Sequence, residues 1–538
     1  MRSPLLVVSF AVALILQVVV GTRGNGDFQT QQQFDFQQNT TTQWPSLRFN
    51  FRLKRSSMKV NGQSMFSMVA DPVVSVDESH VLYDTFATFT EDTTVHNYTS
   101  VNGTAYYSSN DLNNSTAPAT IECLDPELDH LPPINTIVDA INLAIPISRG
   151  PSGVVCSSEN LFKVVVNDID FALCASGLSE FTMYGSDMDI TVEYVETRLS
   201  ISSPMVMNDE LPGCVNSMSP SIVTSTGKSV LTGKHVSTGG SRRLKAEFDF
   251  TWGDDSTCSC KSTPRPCIFI HGMGVPRELP ENQDSLSYWG NITGHTPCCT
   301  TVKYAVLDTI NNTWTNNTQQ YKVCDRALAV SKTSKDTVIS DTIIVSHSMG
   351  NLMLAGAIAS GKCSLDSSTT WVDIAAPMKG SKASDFIQES CAGKTNFILE
   401  KMANDNGRCP PTTALKSMPF EGENYSTPAI NKAFAAAQKA FQSNVSALMC
   451  SSSFWGLRSS DQTTLWALGM LGQHHSWKND GMVEFQSCSV GFPESKFGRT
   501  WKDRFYRTKL NHYDMQFKHG DGWFSKAKMP VKWLECLL

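Results

Sequence analysis

The run Thr342-Ile-Ile-Val-Ser-His-Ser-Met-Gly-Asn351 changes character within a few residues, and no other feature of the chain constrains its fold as strongly. The apolar half reads as a buried parallel strand. The residues that follow, Leu352-Met-Leu-Ala-Gly-Ala-Ile-Ala-Ser360, read as an apolar helix. A strand that turns this abruptly into a helix puts Ser348 at the apex. There its backbone is strained and its hydroxyl stands clear of the sheet. Gly350 sits where a side chain would strike the preceding strand. Position 346 departs from the Gly-x-Ser-x-Gly pattern, because Ser346 replaces the first glycine. The plainer alternative is a polar turn with no chemistry.

Upstream, Arg265-Pro-Cys-Ile-Phe-Ile-His-Gly-Met-Gly274 is a second short strand ending in a glycine-flanked turn. Acyl transfer builds negative charge on a carbonyl oxygen, and two preorganised backbone N–H groups can hold it. One comes from the residue after the nucleophile and one from the loop after an earlier strand. The candidate donors are Met349 and Met273, with His271, Gly272, Gly274 and Gly350 shaping the turns around them. An ordinary loop is the competing reading of His-Gly-x-Gly.

A serine nucleophile needs a base, and the base needs an orienting acid. Of the eleven histidines, His80, His96, His130 and His235 belong to a different, N-terminal region, and His271 and His347 to the two turns. His474, His475, His512 and His519 remain, with His295 as an outsider. Two segments then stand out, Trp477-Lys-Asn-Asp-Gly-Met-Val-Glu-Phe485 and Lys509-Leu-Asn-His-Tyr-Asp-Met515. An Asn-Asp-Gly-x-Val segment followed by Asn-His-x-Asp resembles the acid and base loops of the secreted α/β-hydrolase lipases, the bacterial true lipases in particular. The resemblance spans about residues 264 to 520.

It implies the chain order serine, acid, histidine, which Ser348, Asp480 and His512 reproduce. Asp480 would orient His512, and His512 would take the proton from Ser348 and return it to the leaving alcohol. Asp373, in the strand-like Trp371-Val-Asp-Ile-Ala-Ala-Pro377, is the alternative acid. The chemistry requires no cofactor. In those lipases the aspartate two residues after the histidine helps to bind a structural calcium ion. Asp514 holds that position here, with Asp461 as a second carboxylate at a plausible distance. An exposed Asp514 capping a turn is the alternative.

The implied fold is α/β: an α/β-hydrolase with a mostly parallel sheet and a cap insert, preceded by a β-rich N-terminal domain. Strands near 267–271, 302–307, 342–346 and 370–375 alternate with helical stretches, and residues of about 380–470 interrupt them as a cap or lid insert. Those insert residues would either line an acyl pocket or pack on the scaffold. The hydrolase domain is expected over 256–538. Before it come a signal peptide at 1–21, a Gln/Asn/Thr-rich linker at 22–45, and a β-rich domain of unknown role at 46–255. In that domain, alternating runs such as Leu161-Phe-Lys-Val-Val-Val166 predict an antiparallel sheet with one wet face, and a helix is expected after Pro132-Pro133. The dibasic pairs Lys54-Arg55 and Arg242-Arg243 are either processing sites or solvated loop charges.

Sixteen cysteines fall into four before residue 258 and twelve from Cys258 onward, so both sets are even and fit intradomain disulfides in an oxidising compartment. Sequons at Asn39, Asn97, Asn102, Asn113, Asn114, Asn291, Asn311, Asn316, Asn424 and Asn444 predict N-glycans. A formal net charge of −7 leaves no basic footprint for nucleic acid. After the leader, no stretch is apolar enough for stable transmembrane insertion. The expected product is therefore a secreted, extracellular serine ester hydrolase, with a lipid or other ester as substrate and an oligomeric state the sequence leaves open. Two other readings stand beside it. One is a catalytically silent hydrolase-fold surface or adhesion module. The other is a glycolipid deacylase, since eukaryotic glycolipid inositol deacylases carry a similar Ser-His-Ser-Met-Gly.

Overall fold

A computed structural model describes residues 36–37, 44–60, 62–113, 120–124, 132–151, 154–156, 160–175, 179–204, 214, 218–234, 256–405 and 407–538. The signal peptide, Asn39, Asn114 and the pair Arg242-Arg243 lie outside the described residues, as does most of the linker. The described residues form two compact units. One comprises 258–521 with 527–538; the other comprises the described part of 30–257 with 522–526.

The second unit is built on a 13-stranded antiparallel sheet. Its central strands run in the order Thr94–Val101, His80–Glu91, Met65–Ser75, Ser46–Leu53, Met188–Val195 and Glu180–Gly185. Alternation does the work here: Leu47, Phe49, Phe51 and Leu53 are buried while Arg48 and Arg52 are exposed. The hairpins close on two-residue turns whose central residues both have positive φ, Asn102-Gly103 and Asn167-Asp168. Such turns match the twist of an antiparallel pair. The expected helix runs over Ile134–Asn142, burying Ile134, Ile137, Val138 and Ile141. Phe36–Gln37, inside the segment expected to be linker, pairs with Val74 and Ser75. Trp523 reaches the same core from near the far end of the chain, 5.2 Å from the ring of Phe66.

The first unit is built on a six-stranded parallel sheet in the order Cys299–Ala305, Arg265–Ile270, Ile343–His347, Thr370–Ile374, Val445–Ser451 and Phe505–Thr508. Arg265–Ile270 lies between the strands that follow it, so the connections leave it in opposite directions. In open parallel sheets such a reversal leaves a crevice at the carboxyl ends of the strands. The helix Met349–Ala359 is buried from Met349 to Ala357, as a core helix whose one polar side chain is Asn351 must be.

Two expectations are corrected. The described residues as a whole do not make a mostly parallel α/β-hydrolase: among them the antiparallel sheet has 13 strands against six in the parallel one. The N-terminal half turns back every few residues, and such short connections allow only antiparallel pairing; a parallel pair needs a crossover of a dozen or more residues. Nor is 380–470 a single insert. It re-enters the parallel sheet as Val445–Ser451. Its alanine-rich segment is the helix Pro428–Asn444, which buries Phe434 beside Trp314 (5.1 Å between rings) and Phe441 beside Trp371 (5.9 Å).

All sixteen cysteines are paired. Cys123–Cys214 and Cys156–Cys174 lie in the second unit, and the other six disulfides in the first. A fully oxidised set of this size suits an extracytosolic address. Among the described residues, no helix is long and apolar enough to cross a membrane. None of the eight described sequon asparagines is buried.

Candidate active site

Ser348 stands between the strand Ile343–His347 and the helix Met349–Ala359 with φ 52° and ψ −128°. A non-glycine residue held there costs about 1–3 kcal/mol and persists only where its surroundings over-determine it. Ser348 N–H donates to Ile374 O at 2.9 Å. A β-carbon on Gly350 would sit 2.7 Å from His271 O and 2.8 Å from Ile270 O, so only glycine lets the helix start this close to the neighbouring strand. Ser346, the departure from the glycine pattern, is fully buried and bonded. Its hydroxyl donates to Asn351 Oδ1 and accepts the indole N–H of Trp371 at 2.6 Å.

His512 lies in a turn after the strand Phe505–Thr508. Its Nε2 is 3.0 Å from Ser348 Oγ, and its Nδ1 is 2.8 Å from Asp480 Oδ2. Asp480 accepts the main-chain N–H groups of Met482 at 2.9 Å and Val483 at 2.6 Å through its other oxygen. The carboxylate can only accept, so Nδ1 carries the proton and Nε2 faces the serine hydroxyl. Relative exposures of 6 % for Ser348, 1 % for Asp480 and 2 % for His512 mean that bulk water hardly competes for these bonds.

The other candidates fall elsewhere. His295 pairs with Glu535, His475 with Glu423 and His519 with Asp514, while His474 lies 3.6 Å from Glu484. Asp373 is fully buried in its strand, and burial pushes its ionisation far above the usual carboxylate range. It is Asp480 that meets His512.

Met349 opens its helix, so its N–H has no acceptor within the helix. Met273 follows Gly272, where a β-carbon would come within 2.6 Å of that of Ser348. Among the described residues, neither Met273 nor Met349 spends its N–H on a turn, loop or cap bond to another main-chain group. His271 fixes the loop: its Nε2 accepts from Leu307 N–H at 3.1 Å and its Nδ1–H donates to Gly272 O at 2.7 Å. Burial lowers its pKa to about 4, which keeps the ring neutral. Gly274 has φ +116°, open to glycine but strained for other residues.

Asp514 is fully buried, not an exposed turn cap. One oxygen takes the N–H of Leu457 at 2.7 Å and of Asn511 at 3.2 Å, and the other meets His519 Nδ1 at 2.7 Å. Calcium needs six to eight oxygens. Here the carboxylate is engaged by protein donors, and among the described residues no group of three His, Cys, Asp or Glu is placed to hold a metal. Asp461 begins the helix Gln462–Leu471. These residues do not fit a calcium ion.

A cavity of about 30 Å³ opens beside Ser348, walled chiefly by Met273, Leu415, Met418, Met482 and Val483. A water occupies roughly 10–15 Å³ of such space, so this one admits a water or two but no acyl chain. Tyr288 also lines it. This residue, with His347, was not singled out from the sequence for the site; no local motif marks a tyrosine 60 residues before the serine.

No family model matches the chain, and no curated protein matches it. Among solved structures it is similar to the mature form of a lipase from Bacillus licheniformis, with 11 % identity and a TM-score of 0.30 over 49 % of this chain and 89 % of that one. It is also similar to a Staphylococcus hyicus lipase, with 13 % identity and a TM-score of 0.27 over 52 % and 95 %. A third is lipase 1 from Pelosinus fermentans, with 13 % identity and a TM-score of 0.27 over 51 % and 97 %. Likenesses of this size decide neither mechanism nor substrate.

Proposed function

We propose that this chain is a serine ester hydrolase acting outside the cytosol, with Ser348 as nucleophile, His512 as general base and acid, and Asp480 as the orienting carboxylate. The observation that carries this is the bridge His512 makes between Ser348 Oγ and Asp480 Oδ2. In the forward step Ser348 Oγ attacks the ester carbonyl carbon while its proton passes to His512 Nε2. The resulting oxyanion is held by the N–H groups of Met273 and Met349, a contribution worth typically about 3–4 kcal/mol per donor. The tetrahedral adduct collapses as His512 gives that proton to the departing alcohol. Water then repeats the sequence on the acyl-enzyme, releasing the acid and restoring the serine.

The apolar wall of the cavity favours an acyl group over a charged one, and lipid esters are the natural class. Because the cavity is too small for such a chain, the wall must part first. Its mobile candidates are the short helices Lys382–Cys391 and Thr413–Lys416, which carry Ser384 and Leu415 to the cavity. A fluorophosphonate probe tests the chemistry. Labelling of the parent chain that disappears in Ser348→Ala is the expected result. A folded parent that does not label, and does not hydrolyse p-nitrophenyl esters of any chain length, would instead mark a silent surface module.

A further inference from the structure

His347 precedes the nucleophile and is fully buried, yet the reaction above gives it no task. Both of its ring nitrogens are engaged. Nε2 lies 3.1 Å from the main-chain carbonyl oxygen of His512, and Nδ1 lies 2.6 Å from Tyr288 Oη. A carbonyl oxygen can only accept, so Nε2 must carry the hydrogen. Nδ1 is then bare and must accept, so the Tyr288 hydroxyl donates. One tautomer and one direction of bonding satisfy all three groups.

The far end of this chain of bonds also touches the machinery. A β-carbon on Gly272 would lie 2.6 Å from Tyr288 Oη, so the phenol abuts the loop that carries Met273. The tyrosine is itself fixed by its neighbour. Trp289 packs 5.9 Å from Phe517 and 5.2 Å from Phe269, and Gly290 N–H donates to Gln516 O at 2.8 Å.

We infer that Tyr288 and His347 are positioning residues for His512, joining the base to the loop that bears one oxyanion donor. His512 sits in a turn, so its aim at Ser348 depends on what grips its main chain. Asp480 O takes its N–H at 2.9 Å, and His347 takes its carbonyl from the other side. With the ring tied to Asp480 as well, the imidazole is held at three points. Burial, then the nearby His512, hold the ionisation of His347 well below the usual imidazole range. It therefore stays neutral while His512, 4.6 Å away between ring centres, takes up the proton of Ser348.

This inference rests on the hydrolase reading, and ring spectra, ester turnover and fluorophosphonate labelling together separate the two. Nitrogen-15 spectra of the histidine rings, which need no turnover, should show one neutral Nε2–H ring at pH 6 that vanishes in His347→Phe and whose bare Nδ1 shifts in Tyr288→Phe. On p-nitrophenyl esters, His347→Phe should lower kcat about tenfold or more with KM little changed, as misplacement of a reacting group does. His347→Gln, which keeps an N–H near the Nε2 position, should recover most of that loss. Tyr288→Phe should add little to His347→Phe, because both break one chain of bonds. Should His347→Phe fail to fold, Tyr288→Phe alone removes only an oxygen and must still lower kcat. Parental kcat in Tyr288→Phe, or losses that multiply in the double variant, would overturn the inference. A ring spectrum with the hydrogen on Nδ1 would overturn it even in a protein that hydrolyses nothing. An unlabelled Ser348 in the fluorophosphonate assay would instead remove the hydrolase reading while leaving the spectra to decide the contact.

Discussion

Replacing Ser346 by glycine restores the residue that this type of turn usually carries, and on sequence pattern alone it should be harmless or beneficial. The structure argues the opposite. The Ser346 hydroxyl accepts from Trp371 Nε1 at 2.6 Å and donates to Asn351 Oδ1, and all three residues are fully buried. Glycine leaves the indole N–H without its acceptor where water cannot replace it. An orphaned buried donor costs about 1–3 kcal/mol. The Asn351 amide keeps its bonds to Ser346 O and Ile374 O, so its oxygen is the only other group left short. Glycine in a strand adds about 0.5–1 kcal/mol of backbone entropy. The expected destabilisation is therefore about 1.5–4 kcal/mol.

Urea unfolding followed by tryptophan fluorescence measures it, with Ser346→Ala as the control that removes the hydroxyl but keeps the β-carbon. Alanine should recover about 0.5–1 kcal/mol of the loss. Activity per folded molecule should survive in both, because Ser346 does not touch the reacting atoms. A glycine variant whose unfolding midpoint equals or exceeds that of the parent would refute the reasoning.

Chelation should leave hydrolysis of a soluble ester unchanged, and added calcium should not raise the melting temperature, because Asp514 is already bound to Leu457, Asn511 and His519; a calcium-dependent rise in melting temperature would contradict this. Asp385 is the clearest pH marker. Burial chiefly raises its pKa to about 6, against an ordinary value of 3.8. A carboxyl whose folded pKa is raised contributes stability that is complete below the unfolded pKa and lost as pH climbs through the folded one. The stability of the parent relative to Asp385→Asn should therefore fall as pH rises from about 4 to about 6, by at most about 1.4 kcal/mol per unit, and then level off. A difference that stays flat across that window in urea titrations would count against the assignment.

What could be read from the residues alone divides along physical lines. Ser348, Asp480 and His512 each sit in a short segment whose local pattern announces a turn or loop, and His512 lies within hydrogen-bond distance of the other two. The strand Leu161–Val166 and the helix after Pro133 were equally legible, because both depend on periodicity within a few residues. The relative weight of the two sheets was not. Strand count depends on pairing partners such as Ser46–Leu53 with Met188–Val195, more than 130 residues apart. Asp514 misled for a related reason. Its calcium-like spacing is local, but what occupies it is His519, folded back across the 3-10 turn Asp514–Gln516. Tyr288 carries no local signature at all.

The same distinction explains how the site is held. The strain at Ser348 is over-determined by the sheet beneath it: a main-chain bond to Ile374, glycine at 350 against the carbonyls of Ile270 and His271, and a helix buried along most of its length. His512 has no such foundation, since it lies in a turn with Tyr513. Its position comes from Asp480 on one side, His347 on the other and Asp514 gripping Asn511 just before it. These contacts arrive from separate strands and loops of the parallel-sheet unit. A substitution that loosens any one of them should therefore cost turnover before it costs the fold, whereas one that displaces the Ser348 backbone itself, such as Gly350→Ala, should cost both together.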